Sequence, residues 1–133
     1  MAAISDLGEL LSSMEPHLNE GTYVFATVAS LDKVDTHSLV AVMREPEGLS
    51  VVMAEDEAQR QGISYEFRSS WITLRVTSAL EAVGLTAAFA HALGQAQISC
   101  NVIAGHHHDH VFVPVRSTDA ALEALRSLQS SAR

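Results

Sequence analysis

From Trp71 onward the hydrophobic period switches between two and about 3.6 in a fixed succession, and that succession constrains the fold more than any other feature of the chain. Residues 71–77 alternate, with Ile72, Leu74 and Val76 on one side and Trp71, Thr73 and Arg75 on the other, as in a strand. Gly84 then precedes a run in which Leu85, Phe89, Ala92, Leu93 and Ala96 share a helical face. Residues 98–104 alternate again, with Ile98, Cys100 and Val102 opposite Ser99, Asn101 and Ile103. Gly105 opens a histidine-rich turn, after which Val111, Val113 and Val115 oppose His110, Phe112 and Pro114. Ser117 or Thr118 is placed to cap a last helix that carries Ala121, Leu122, Leu125 and Leu128 inward. The order is β-α-β-β-α, a split βαβ arrangement lacking the last strand of its sheet. A strand from the N-terminal half, Tyr23–Val28, is expected to fill that edge.

Alternation also assigns the faces. Both helices should cover Ile72, Leu74, Val76, Cys100 and Val102. The opposite face mixes Trp71, Ile103 and Phe112 with Thr73, Arg75, Ser99 and Asn101, too apolar to stay wet. It is expected to pack on the N-terminal half or on a second subunit.

In that N-terminal half, residues 5–14 place Leu7, Leu10, Leu11 and Met14 on one helical stripe. Asp6 with Glu9 forms a capping-box-like start, and Pro16 ends the pattern. Gly21 opens YVFATV, which is β-branched, aromatic and short enough for a strand, and residues 32–37 are polar and loop-like. Two apolar runs, 38–43 and 49–54, flank Glu45, Pro46, Glu47 and Gly48; proline presets one turn dihedral and glycine accepts positive φ, so this is a hairpin. EDEAQRQG follows as a short polar helix or loop closed by Gly62.

At 133 residues the chain is one ordinary domain or two very small ones, and 47% hydrophobic residues suffice for a core without disulfides or metal. Cys100 is the single cysteine, and its place in ISCNVIA makes it a core thiol rather than a nucleophile. Sixteen acidic against eight basic side chains, with Lys33 the only lysine, give a net charge of −8. That balance repels phosphate backbones, which argues against nucleic acid and anionic membrane as partners. The start, MAAISDLGELL, has no basic cluster and does not read as a secretory signal, and no apolar run approaches the length of a membrane span. A cytoplasmic protein is expected.

Three features carry possible chemistry. Gly84 leads into a helix whose first amides are unsatisfied and partly positive, a natural seat for a carboxylate lined by Ser78, Val83, Gly84, Leu85 and Thr86; the alternative is a plain tight βα turn. GHHHDH sets His108 and His110 on one strand face, where with His106 they could hold a transition metal. The competing reading is a polar hairpin tip, because no other Cys/His pair with ligand spacing exists. The Asn101 amide can satisfy a neighbouring backbone group or grip a ligand, and spacing does not separate the two. No P-loop, GxGxxG, GxSxG or HExxH is present, so no catalytic constellation and no cofactor is expected.

SALEAVGLTAA, then ISCNVIAGHHHDHVFVPV and an amphipathic helix, together with MEPHLNEGTYVFATV upstream, resembles a bacterial tandem ACT-domain family of largely uncharacterised function. In that family tyrosines are common where His106 and His107 stand, a departure that weakens the metal reading. The resemblance implies an α+β fold of two ferredoxin-like subdomains, antiparallel sheets with helices on one face. Residues 1–66 would form a degenerate first subdomain and 67–133 a regular second one. It is also similar to half of the animal cytosolic arginine sensor and to the regulatory domains of aspartate kinases. What it implies for function is a non-enzymatic sensor that dimerises and binds an amino acid or similar metabolite. Val83, Gly84, Leu85 and Thr86 would take the carboxylate, with Asn101 and Val102 at the ammonium. A pure assembly module without a ligand is the alternative.

Overall fold

The computed structural model describes residues 6–132; Ser5, the expected first residue of the N-terminal helix, and Arg133 lie outside the described residues. Contacts divide the chain into two compact units: Glu20–Ser70, and the residues up to Asn19 together with those from Trp71 onward.

The second of these contains the β-α-β-β-α order. Strand β5 (Glu66–Arg75, entering this unit at Trp71) is followed by α3 (Leu85–Gln95), β6 (Asn101–Ala104), β7 (Asp109–Pro114) and α4 (Thr118–Ser131). Two N-terminal elements complete it, α1 (Leu7–Ser13) and β1 (Glu15–Leu18). β1 runs antiparallel to β5, Glu15 opposite Arg75 and Leu18 opposite Ile72, giving the order β1-β5-β7-β6. The missing fourth strand therefore does come from the N-terminal half, but it is Glu15–Leu18 and not Tyr23–Val28. Pro16 hid it: a proline after a helical stripe reads as a helix stop, yet an edge strand tolerates one.

The helix-covered face is as the alternation required. Ile72, Leu74, Val76, Val111 and Val113 form one cluster with Leu85, Phe89 and Leu93 of α3, Ala121, Leu122 and Leu125 of α4, and Leu10 and Met14 of the N-terminal segment. Cys100 and Val102 pack against it, half-buried. The Asp6 side chain caps α1 by accepting from Glu9 N–H at 2.9 Å. Ser117, by contrast, makes no side-chain cap on α4, and the Thr118 hydroxyl donates instead to the Val115 carbonyl at 2.7 Å. β6 starts three residues later than the alternation suggests. Ile98 N–H reaches back to the Leu93 carbonyl at 3.0 Å and Gln97 N–H to that of Gly94 at 2.9 Å, with Gln97 at φ +60°. This is a Schellman helix end, and Ile98 is its hydrophobic partner rather than a strand residue.

Within Glu20–Ser70, β2 (Tyr23–Val28) lies between β4 (Gly48–Ala54) and the first half of β5, and β3 (Leu39–Glu45) pairs with β4 outside. The hairpin closes at Glu45 opposite Gly48, around Pro46 and Glu47. Gly48 has φ +143°, and a Cβ there would stand 3.1 Å from the Val28 carbonyl oxygen, so the turn requires glycine. Helix α2 (Glu55–Gln61) ends at Gly62, φ +68°, and buries Ala58 against Val24, Val51 and Met53.

Candidate functional site

The corner before α3 is built by Gly84, whose φ of +104° turns the chain into the helix without a side chain to cap it. The first helical bond is Ala88 N–H to the Gly84 carbonyl at 2.9 Å, and no side chain caps this end. Thr86 is exposed, and so are Leu80 and Val83, at 71% and 83%. Leu85 is buried in the core. Leu7 of α1 lies over the glycine: its Cδ2 would be 2.9 Å from a Gly84 Cβ. Asn101 and Val102 stand elsewhere. They begin the strand after α3, whose eleven residues rise about 16 Å, and β7 separates β6 from β5. The Asn101 amide donates to the Phe112 carbonyl at 3.3 Å, and Val102 faces the core cluster. Within one chain, then, Val83, Gly84, Leu85 and Thr86 form a group that Asn101 and Val102 do not join.

The histidine-rich turn is a tight hairpin. Gly105 N–H donates to the His108 carbonyl at 2.9 Å, leaving His106 and His107 at the tip, exposed and stacked at 4.6 Å. A Cβ on Gly105 would lie 3.0 Å from that carbonyl oxygen. His108 Nδ1–H donates to the Val76 carbonyl at 3.3 Å. His110 Nδ1 accepts from Trp71 Nε1–H at 2.9 Å, with the Thr73 hydroxyl at 3.1 Å. Because an indole N–H can only donate, His110 is held with its proton on Nε2. Burial, reinforced by the charge of His108 and opposed by Asp109, lowers the His110 pKa; burial raises that of Asp109. Among the described residues no three His, Cys, Asp or Glu side chains are grouped to hold a metal. His106 stands at the exposed tip, whereas His108 and His110 each spend Nδ1 on a partner within the protein.

Sequence reasoning missed a cleft of about 600 Å³ lined by Ser13, His17, Asn19, Thr73, Arg75, Val76, Thr77 and His108. It forms because β1 lies beside the end of β5, putting His17 opposite Thr73 and Glu15 opposite Arg75. Asn19 Nδ2 donates to the Trp71 carbonyl at 3.1 Å and to Thr73 Oγ1 at 2.9 Å, so its floor is tied into the Trp71–His110 network. The signal available in the sequence was the alternation of Glu15, His17 and Asn19 across Pro16, legible only once that proline is allowed on an edge strand.

Cys100 is half-buried and burial raises its thiol pKa, which keeps it a thiol rather than a thiolate at neutral pH. Among the described residues no helix is long and apolar enough to cross a membrane.

Two ACT-domain family models match the chain, one over residues 2–70 and the other over residues 66–127. No curated protein matches it. Among solved structures, a Vibrio cholerae protein of unknown function, described as a possible transport protein, is 46% identical; the match covers 92% of this chain and 95% of that one, with a TM-score of 0.82. A protein from Agrobacterium tumefaciens is similar in fold at 16% identity, covering 87% and 89% with a TM-score of 0.71. So is the ligand-free regulatory subunit of aspartate kinase from Thermus thermophilus, at 10% identity, 87% and 97% coverage and a TM-score of 0.66.

Proposed function

Since the chain belongs to the ACT-domain family and carries two such domains in tandem, we propose that it is a cytoplasmic regulatory module acting by binding rather than catalysis. ACT domains are regulatory, and in this reading the two repeats correspond to residues 1–66 and 67–133. The ligand is an amino acid or a similar small metabolite, and the protein works as a homodimer. The observation that carries this reading is the uncapped start of α3: left-handed Gly84 with no side-chain cap, Leu7 beside it, and exposed Val83 and Thr86 next to the first amides of the helix. Those amides suit a carboxylate. Because Asn101 and Val102 stand apart from them in one chain, a second copy is the natural source of the groups that would meet an ammonium. Ligand bound across copies shifts assembly or conformation by its differential affinity for the two states.

A thermal-shift screen of the amino acids tests this. A ligand present at about 100 times its dissociation constant stabilises by about 2.7 kcal/mol. Val83→Glu, a charge at an exposed position, should abolish the shift without unfolding the protein. No stabilisation by any amino acid at millimolar concentration counts decisively against the proposal.

Leu7 lying against Gly84, beside exposed Leu80 and Val83, favours a second reading, an assembly surface that takes no small ligand. In that case Val83→Glu changes the size-exclusion volume while the amino-acid screen stays blank.

A further inference from the structure

We infer that the cleft between β1, the end of β5 and the histidine hairpin is a separate binding site for a small oxyanion, a carboxylate or phosphate group, held by Arg75, His17 and His108.

The chain carries a net charge of −8, so a cleft whose lining holds the Arg75 guanidinium and no carboxylate departs locally from the acidic balance of the chain. Arg75, like Lys33, Arg44, Arg116 and Arg126, makes no ion pair among the described residues, and it is the cation in the lining of this cleft. A guanidinium fork matches two oxygens of either anion. His108 has committed Nδ1–H to the Val76 carbonyl, so it meets the cleft through Nε2, a donor once the ring is protonated. His17 stands across from Thr73. Thr73 is itself hydrogen-bonded to Asn19 and His110, which orients the floor of the cleft. A volume near 600 Å³ suits a metabolite rather than a macromolecule. Glu15, opposite Arg75 in the ladder, is the built-in competitor.

The test uses the full chain, titrated with inorganic phosphate and separately with malonate, against sodium chloride at equal ionic strength, while the histidine ring signals are followed by NMR. The His17 and His108 signals should move saturably with at least one of the two anions, and that of His91, on the exposed side of α3, should not. Saturation by phosphate alone, malonate alone or both identifies the anion source and supports the site in each case. Arg75→Gln should weaken binding by about tenfold or more, the usual scale for losing a charge-assisted contact. Glu15→Gln should tighten it, and this variant decides the matter if Arg75→Gln does not fold. A response no different from chloride overturns the proposal, as does unchanged binding in Arg75→Gln or weaker or unchanged binding in Glu15→Gln. Val83→Glu leaves this site intact, so loss of amino-acid binding at the α3 corner and loss of oxyanion binding here are read independently.

Discussion

In the unit that joins both ends of the chain, Leu10 of α1, Phe89 of α3 and Leu125 of α4 are buried with Ile72, Leu74 and Val111 of the sheet. In Glu20–Ser70 the equivalent cluster is Val24, Val51, Met53 and Ala58, with the seven-residue α2 as its only helical contributor. The unit that joins both ends also uses its other sheet face: Phe112 is buried there and stacked on Trp71, and Trp71, Thr73, His110 and Asn19 form a connected hydrogen-bond network, with Arg75 and His17 beside it. In Glu20–Ser70 two of the cations are paired: Arg60 with Glu57, and Arg68 with Glu55 at 2.7 Å, lowering that carboxyl's pKa, with Tyr65 adding a bond at 3.0 Å. What distinguishes the unit that joins both ends is that its open cation, Arg75, lines a cleft together with His17 and His108.

The sharpest way to break this contrast is to remove the N-terminal segment. A chain beginning at residue 20 lacks Leu10 and Met14, both fully buried, and the whole β1 ladder. Each truncation of such a side chain alone costs about 2–5 kcal/mol, so this chain should lose its cooperative transition in urea. Single core substitutions come next. Phe89→Ala should cost about 3–5 kcal/mol and lower hydrogen-exchange protection in α3, α4 and β7, while Met53→Ala should cost about 2–5 kcal/mol and act on β2, β3 and β4. Equal loss of protection everywhere would show one cooperative unit instead of two.

A smaller effect separates the two glycine corners. Alanine at Gly48 meets the Val28 backbone oxygen, which cannot yield, and should cost about 2–3 kcal/mol. At Gly84 the obstacle is the movable tip of Leu7, and the cost should be about 1–2 kcal/mol, mostly from the positive φ. Denaturant midpoints rank the pair.

The smallest effect is one of pH. His110 is held neutral in the folded state by burial and by the bond from Trp71, below the ordinary value of 6.5. The unfolded chain therefore takes up the proton first, so stability is complete above about pH 6.5 and is lost as pH falls from there through the folded pKa. Asp109, raised by burial from 3.8, acts in the opposite sense in the acid window above that value, where the folded state keeps its proton longer. Urea midpoints followed by the fluorescence of Trp71, the single tryptophan, should fall between about pH 7.5 and 5.5, and His110→Gln should flatten that slope.

Elements whose own periodicity decides them were legible: the strand through Ile72 and Leu74, the helix of Phe89 and Leu93, the Pro46–Gly48 turn and the Asp6 cap each carry a local signal. The strand at Glu15–Leu18 was not legible, because four residues containing a proline have no period of their own to read. Nor was the late start of β6, because Gln97 fills the left-handed position where glycine would announce a helix end. Of the candidate site, the glycine corner was visible as a residue type in a loop. That Asn101 stands away from it, and that Arg75, His17 and His108 share a cleft, was not visible.

The chain's order of residues was enough to set which faces are apolar, where turns must bend, and that the surface is acidic, since each follows from side-chain spacing and charge along a few neighbours. Which strand completes the sheet, which nitrogen of His110 keeps its proton, and that Arg75, His17 and His108 share a cleft were decided only in three dimensions. Those outcomes depend on contacts between residues far apart in the chain, 39 positions for Trp71 with His110 and 54 for Asn19 with Thr73, and one-dimensional spacing carries no information about such pairs.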